Sequence, residues 1–288
     1  MINTKHSAGS TSAKIGNSLI WIFLCAFCAV IVLPLVFMVT ASFMKAINIM
    51  KMPYSWIPKE FYFQNYVRAI AGNDNSFMYV RNIANSLFVA GTITATTILF
   101  ASLIGFGLAK YKFRGRNVVF LAIMATMMIP FETIMVPLYM VVLNLNIQNT
   151  YAGLIIPFMV NAFAVFQMRQ YLMTFPEDVL DAARIDGTSE PGIFFRIVFP
   201  NCAPAIATLA VLTFRQQWDN LLWPLLVAQS EKMKTIPAYI VKFAAEKYSD
   251  EGAMMAVAVI ASIPIFILFF GLSKYFVGGS SMYAAGKE

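Results

Sequence analysis

The sequence predicts an all-α polytopic membrane protein with six transmembrane helices, and three observations carry that prediction. Of the 288 residues, 59% are hydrophobic and only 12% charged, with a mean hydropathy of +0.70; a soluble domain has roughly 45–50% apolar and about 25% charged residues. The apolar residues fall in six runs, each long enough to cross a ~30 Å hydrocarbon core as a helix. The loops between the runs are polar, and their Lys and Arg residues are unevenly distributed.

A polar tail, residues 1–18, carries Ser, Thr and Lys and is expected to stand in the cytoplasm. The first run, Leu19–Phe43, contains near its end a small-residue stretch, Val39-Thr40-Ala41, that resembles a cleavage site. Its apolar length exceeds the 7–15 residues of a signal-peptide core, which favours an uncleaved anchor. The remaining runs are Asn85–Ala109, Val118–Val142, Tyr151–Tyr171, Asn201–Ala228 and Ala253–Phe276. Pro34, Pro130, Pro137, Pro224 and Pro264 interrupt them, which a bundle tolerates where neighbours satisfy the freed carbonyls. Six spans place both termini on one side. The short loop Lys110–Asn117 (KYKFRGRN) holds four Lys/Arg and no acid, whereas Leu143–Thr150 is uncharged. Short basic loops stay cytoplasmic, so both termini and the loop after the fourth span are assigned there. The net charge of +7 reads as an orientation signal, not a nucleic-acid footprint, because the basic residues are scattered among the spans.

No catalytic constellation is present in the sequence. Its one histidine, His6, excludes an HExxH zinc site, and neither GxSxG nor GxxxxGK[ST] occurs. Cys25 and Cys28 have CxxC spacing inside an apolar run without a further ligand, and Cys202 is also in apolar surroundings, so all three read as packing residues. No metal site and no bound cofactor are expected.

The segment Tyr171–Pro200 is a net-acidic island between apolar runs. Thr174-x-x-Glu177 fits a capping box with Pro176 in the first turn. Glu177, Asp178 and Asp181 then lie near the positive end of a helix dipole. The helix is expected to reach Ile185 and to end at Asp186-Gly187, with Gly187 as the left-handed cap. A second helix starts at Ser189-Glu190-Pro191, carries Ile193, Phe194, Ile197 and Val198 on one stripe, and stops at Pro200. Ala182 and Ala183 would let a partner backbone approach. An amphipathic loop resting on the membrane surface is the plainer alternative, but such helices are usually basic, and here the acids outnumber the bases.

Charged and polar residues also fall inside the expected spans: Glu132 in the third, and Arg215, Gln216, Gln217, Asp219 and Asn220 in the fifth. A charge at the bilayer centre costs on the order of 2.5–3.5 kcal/mol, so these residues are expected to face a bundle interior or a wet cavity. Arg215 is spaced to pair with Asp219 on one helix face, or to reach Glu132. Mutual neutralisation is one reading. The other is a substrate path, with Trp218 and Trp223 stacking on sugar rings and Arg215 suiting an anionic saccharide.

Further motifs extend along the chain: Asn85-Ser86, Met128-Ile129-Pro130 with Pro137-Leu138-Tyr139, and Asn149-Thr150-Tyr151-Ala152-Gly153-Leu154. In the island, Asp181-Ala182-Ala183 is followed after three residues by Gly187, and after nine more by Ile197-Val198-Phe199-Pro200. Trp218-Asp219-Asn220-Leu221-Leu222-Trp223-Pro224-Leu225 and Tyr275-Phe276-Val277-Gly278-Gly279 complete the series. In this order and spacing, residues 82–276 resemble the carbohydrate-type ABC importer permeases, specifically the MalG-like half of the maltose transporter. The island matches their EAA loop, except that Asp181 replaces a glutamate, Phe199 replaces a leucine, and the tail after Gly279 departs from the usual small-residue ending.

The resemblance implies the type I importer permease fold, with a core at 82–276 and cytoplasmic coupling helices in 172–200. It implies a bacterial inner-membrane subunit that pairs with a homologous sibling permease and with two ATP-binding subunits, fed by an extracytoplasmic solute-binding protein. ATP and Mg would sit on the partner ATPase. Glu177, Asp181, Ala182, Ala183, Asp186, Gly187, Ile197 and Pro200 are the implied coupling residues. Glu132, Arg215, Gln216, Trp218, Asp219 and Asn220 are candidates for the path of a sugar, an oligosaccharide and, on the reading of Arg215, an anionic one. A glycerol-phosphate permease is the alternative within the family; an ion-coupled secondary carrier and an intramembrane enzyme lie outside it.

Overall fold

The computed structural model describes residues 11–53, 55–72, 76–245 and 250–285, and among these there is no strand. Residues 1–10, with His6, and 286–288 lie outside the described residues, and with them most of the expected polar tail. The first helix, α1 (Thr11–Ala41), already begins inside the segment read as tail. Short helices α2 (Ala46–Ile49) and α3 (Gln64–Ala71) follow, and then α4 (Met78–Lys110), a continuous rod of 33 residues.

The third and fourth expected spans are each broken. Helix α5 (Arg116–Thr126) meets α6 (Phe131–Asn144) at 97°. The break falls at Pro130, which has no N–H to continue the ladder and pushes the preceding residue out of the α region. Pro137, by contrast, lies within α6. Helix α7 (Tyr151–Ile155), extended by a tight turn at Ile156–Phe158, meets α8 (Ala162–Met173) at 43°. Asn161 starts α8, its side-chain oxygen accepting from Phe163 N at 2.8 Å and Ala164 N at 3.3 Å.

The acidic island holds α9 (Glu177–Ile185), α10 (Glu190–Gly192), a π-turn at Ile193–Val198, and α11 (Phe199–Asn201). The chain then bends by 75° into α12 (Ala203–Trp218). The fifth expected span does not run to Ala228: it breaks after Trp218 and resumes as α13 (Leu222–Val227). Helices α14 (Ile236–Ala245) and α15 (Glu251–Ala285) complete the order.

These elements form two compact units, residues 1–69 with 248–259, and residues 70–247 with 260–288. In the first, buried Asn65 donates to the carbonyls of Ser42 at 2.9 Å and Met44 at 2.7 Å, and Arg68 pairs with Asp250 at 2.6 Å. The span of α1 buries 0% of its apolar window within this chain. Its covering must come from lipid or another chain, because an apolar stripe of that length has no stable place in water.

In the second unit α4 packs between α8 and α12. At one end Phe106, Leu172, Leu180, Ile193, Phe194 and Val198 share a buried core. At the other Val89, Ile93, Leu154, Trp223 and Val227 do so.

Candidate functional site

The island folds as a knob of two short helices bent at a glycine. Helix α9 ends at Ile185, and Gly187 takes the left-handed conformation, with φ of 76°. Gly187 N donates to the Arg184 carbonyl and Thr188 N to the Ala183 carbonyl, each at 3.0 Å. That paired bonding is the Schellman arrangement, and it satisfies the last carbonyls of α9. The start of α9 differs from the capping box. Pro176 stands just before the helix, and the Thr174 hydroxyl donates back to the Tyr171 carbonyl at 2.7 Å, closing α8 instead.

The second arm also differs, because it continues through Pro200 to Asn201. Proline cannot donate to the carbonyl four residues back and collides with it. The π-turn at Ile193–Val198 widens the helix just ahead of the ring, and that is how a proline is accommodated without a break.

Helix α9 presents two faces. Leu180 is 0% exposed and Ala183 7%, both against Ile193, Phe194 and Val198 in the chain's own core. Ala183 therefore offers no surface to a partner, contrary to the sequence expectation. Ala182, Asp181, Asp186 and Gly187 are exposed, and so is Ile185, at 86%. Among the described residues it is the most exposed large apolar side chain. Ile197 is half-buried, and Pro200 is exposed beside Asn201.

Polar bonds fix the knob to the end of α4. Lys110, with 4% of its side chain exposed, donates to the Phe175 carbonyl at 2.6 Å and lies 3.3 Å from Glu177. The Tyr111 hydroxyl donates to Glu190, the first residue of α10. Arg184 spans the glycine bend, pairing with Asp181 at 2.9 Å and with Glu190 at 2.9 Å. The bonds from Arg184 and then Tyr111 hold the Glu190 carboxyl below the usual carboxylate range. Burial, followed by the bond to Glu190, pushes the Tyr111 phenol up to about 12. Glu177 and Asp181 are thus engaged within the chain, and Asp186 and Ile185 stand clear at the tip. Lys110, Tyr111, Arg184 and Glu190 were not singled out by sequence reasoning. Lys110 and Tyr111 open a basic loop that signalled only orientation.

The residues in the fifth span gather on one exposed face. Arg215 and Asp219 lie 3.5 Å apart, with side chains 67% and 53% exposed, and Gln216 is exposed beside them. Among the described residues no ion pair joins Arg215 to Glu132, which is exposed in the first turn of α6. Asn220 Nδ2 donates to Gln217 at 3.4 Å in the break after α12. Both indoles are structural, correcting the stacking expectation. Trp218 is 3% exposed and donates to the Ala261 carbonyl at 3.1 Å; Trp223 is 0% exposed and donates to the Gly153 carbonyl at 3.0 Å.

The remaining motif residues meet at the opposite end of α4. Tyr151 donates to Asn85 at 2.7 Å, and the Ser86 hydroxyl accepts from Ile236 N at 2.8 Å. Asn149 accepts from both the Ser230 N–H and its hydroxyl at 3.0 Å. Thr150 caps α7.

A model of the family described as "Binding-protein-dependent transport system inner membrane component" matches residues 97–279. The chain belongs to that family. The permease is therefore an integral inner-membrane component of an ABC transport system and not an enzyme in its own right. It is similar to the arabinooligosaccharides transport system permease protein AraQ of Bacillus subtilis, 38% identical over 222 residues, covering 77% of this chain and 78% of that protein. It is 37% identical over 196 residues to the lactose transport system permease protein LacG of Rhizobium radiobacter, covering 68% and 71%. The sn-glycerol-3-phosphate transport system permease protein UgpE of Brucella abortus is 32% identical over 256 residues, covering 87% and 90%. Among solved structures, one chain of a bacterial ABC transporter involved in the import of the acidic polysaccharide alginate superposes with a TM-score of 0.82. It is 23% identical, with 93% of the permease and 98% of that chain covered, and shows the shared fold.

Proposed function

We propose that this permease imports a sugar, an oligosaccharide first, as one half of a translocation path whose other half is a homologous sibling. The observation that carries the coupling role is the braced knob with Ile185 bare at its tip, its acids partly neutralised by Arg184 and its base bonded to α4. A surface helix resting on lipid would be basic on its polar face; this one presents Asp178, Asp186 and Ile185 outward. It suits a cleft in a protein, and the partners are two ATP-binding subunits that carry the ATP and Mg. An extracytoplasmic binding protein delivers the solute, and both termini lie in the cytoplasm with the knob.

The exposed face of Arg215, Gln216 and Asp219 supports the sibling. Charges on a transmembrane helix are not left against lipid, so this face abuts a second chain or the aqueous path. Arg215 is already neutralised by Asp219, which removes the reason to prefer an anionic sugar. The relatives named for arabinooligosaccharides and lactose favour a neutral saccharide, and the one named for glycerol phosphate keeps that substrate as the alternative.

A photoreactive residue at position 185 tests the docking. The expected product is a cross-link to an ATP-binding subunit in native membranes. Cross-links to lipid alone contradict it.

A further inference from the structure

We propose that α4 is the rod that carries the movement of the coupling knob across the membrane, with Lys110 and Tyr111 as positioning residues at one end and Arg81 and Asn85 at the other. The inference rests on the coupling reading above and adds the path by which the knob acts.

At its inner end, Lys110, the last residue of α4, and Tyr111 just beyond it hold the start of each knob arm. Lys110 grips the entry to α9 through the Phe175 carbonyl and Glu177, and Tyr111 grips α10 through Glu190. Phe106, one turn earlier, packs its ring against both Tyr111 and Phe194, with centroids 5.5 Å apart in each case. Arg184 ties the two arms to each other, so the knob is pulled as one body. At position 105, a Cβ would lie 2.9 Å from the backbone N of Arg169, so α4 and α8 touch at backbone distance.

The outer end is tied as closely, to the segment that precedes α14. Arg81 Nε and Asn85 Nδ2 both donate to the Lys232 carbonyl at 2.9 Å, and Asn85 Nδ2 also reaches the Lys234 carbonyl at 2.9 Å. Ser86 accepts from Ile236 N at 2.8 Å. Between the two ends run 33 residues of uninterrupted helix without proline, about 50 Å at 1.5 Å per residue. Three other helical paths of this unit, α5 with α6, α7 with α8, and the segment 190–201 with α12, are bent by 43° or more at a break, and the part of the unbroken α15 that lies in this unit carries Pro264. A helix that is unbroken, packed against its neighbours and bonded at both ends transmits an axial or tilting displacement; a broken one absorbs it. The knob and the 230–236 segment are therefore mechanically in series.

The test uses the whole transporter in liposomes, with native cysteines replaced and a bimane probe attached through Lys232→Cys. Trapping with ATP, Mg and vanadate is expected to shift the bimane emission in the parent complex. Tyr111→Phe with Lys110→Met removes the inner ties and is expected to abolish at least three-quarters of that shift, with ATP-binding subunits still co-purifying. Lys110→Arg should restore most of it. Asn85→Ala should lose the shift too, and adding it to the inner pair should cause no further loss. Independent sites more than about 10 Å apart act additively. An undiminished shift in the inner variant, or fully additive losses, overturns the proposal. Ile185→Arg separates the two readings: if that complex assembles and keeps its shift, the docking reading has failed and not the rod. Should the inner pair fail to assemble, Glu190→Gln, which keeps an acceptor for Tyr111 but loses the Arg184 pairing, is expected to retain a partial shift, and a full shift counts against the joint.

Discussion

Replacing Ala183 and Ala182 by leucine, one at a time, separates folding from docking on neighbouring residues of one helix. Ala183 is 7% exposed and belongs to the core with Leu180, Ile193 and Phe194. Leucine there adds three carbons to a filled space. Overpacking of that kind costs typically 1–3 kcal/mol, and at 1.4 kcal/mol per decade this is a loss of roughly five- to 150-fold in the folded ratio. The strain falls on the contact between α9 and the π-turn, which sets the angle of the knob. Ala182 is exposed, and alanine and leucine have nearly equal helix propensities. Leucine at 182 should leave folding within about 0.5 kcal/mol, as surface changes do. Thermal melts of the isolated permease in detergent measure the first effect, and co-purification of the ATP-binding subunit measures the second. Ala183→Leu should lower the melting point, and Ala182→Leu should keep it but weaken association. Equal destabilisation by the two, or a stable Ala183→Leu protein with lost association, would refute the assignment of buried and presented faces.

The other predictions concern the bend, the glycine at Gly153, pH and the polar face. At Gly187 a Cβ meets nothing within 4 Å, so Gly187→Ala should cost only the left-handed backbone penalty of about 1–2 kcal/mol, and Gly187→Asn less; melts of the three proteins rank them. At Gly153 a Cβ would lie 2.4 Å from the Ile147 carbonyl oxygen, so Gly153→Ala should destabilise more than Gly187→Ala, read by the same melts. The Glu190 carboxyl is held low, so its contribution is present above about pH 4.3, its unfolded value, and is lost as pH falls through the folded one. Tyr111 is raised to about 12, so its contribution is full below about pH 10 and lost as pH rises through 12. Hydrogen exchange at residues 187–193, corrected for intrinsic rate, should be flat from about pH 5 to 9 and rise below 4. Arg215→Gln with Asp219→Asn removes an exposed pair worth about 0–1 kcal/mol; the melting point should barely move, and a large drop would show the pair to be structural.

Much of this fold was legible because its signals are local. Gly187 followed a nine-residue helix pattern and the structure caps it as read, since only a left-handed residue fits there. The apolar runs fell on three unbroken helices and three bent pairs, up to six spans if each pair is one, because hydrocarbon thickness sets one length for all. What the runs did not show was where they bend. Pro130 breaks its helix and Pro137 does not, the Asn161 break falls among apolar residues, and the Asp219–Leu221 break follows a polar stretch that read as part of a span. The site was legible in outline only. Spacing marked Asp181, Gly187 and Pro200, but which alanine faces in depends on the π-turn, which no periodicity announces. The Lys110, Tyr111, Arg184 and Glu190 network joins residues up to 79 positions apart, and Lys110 and Tyr111 sit in a loop whose basic charge had another evident reading. Trp218 and Trp223 resembled sugar platforms because an indole in a polar stretch has that appearance until its N–H is seen bonded within the core.

The most direct test of the account is to tag this permease at its C-terminus, extract it gently from its own membrane, and identify the proteins that accompany it. A second, homologous permease and an ATP-binding subunit, in a complex whose transport requires ATP, is the predicted result. Recovery of the chain alone, active without ATP and driven by a proton or sodium gradient, would contradict it.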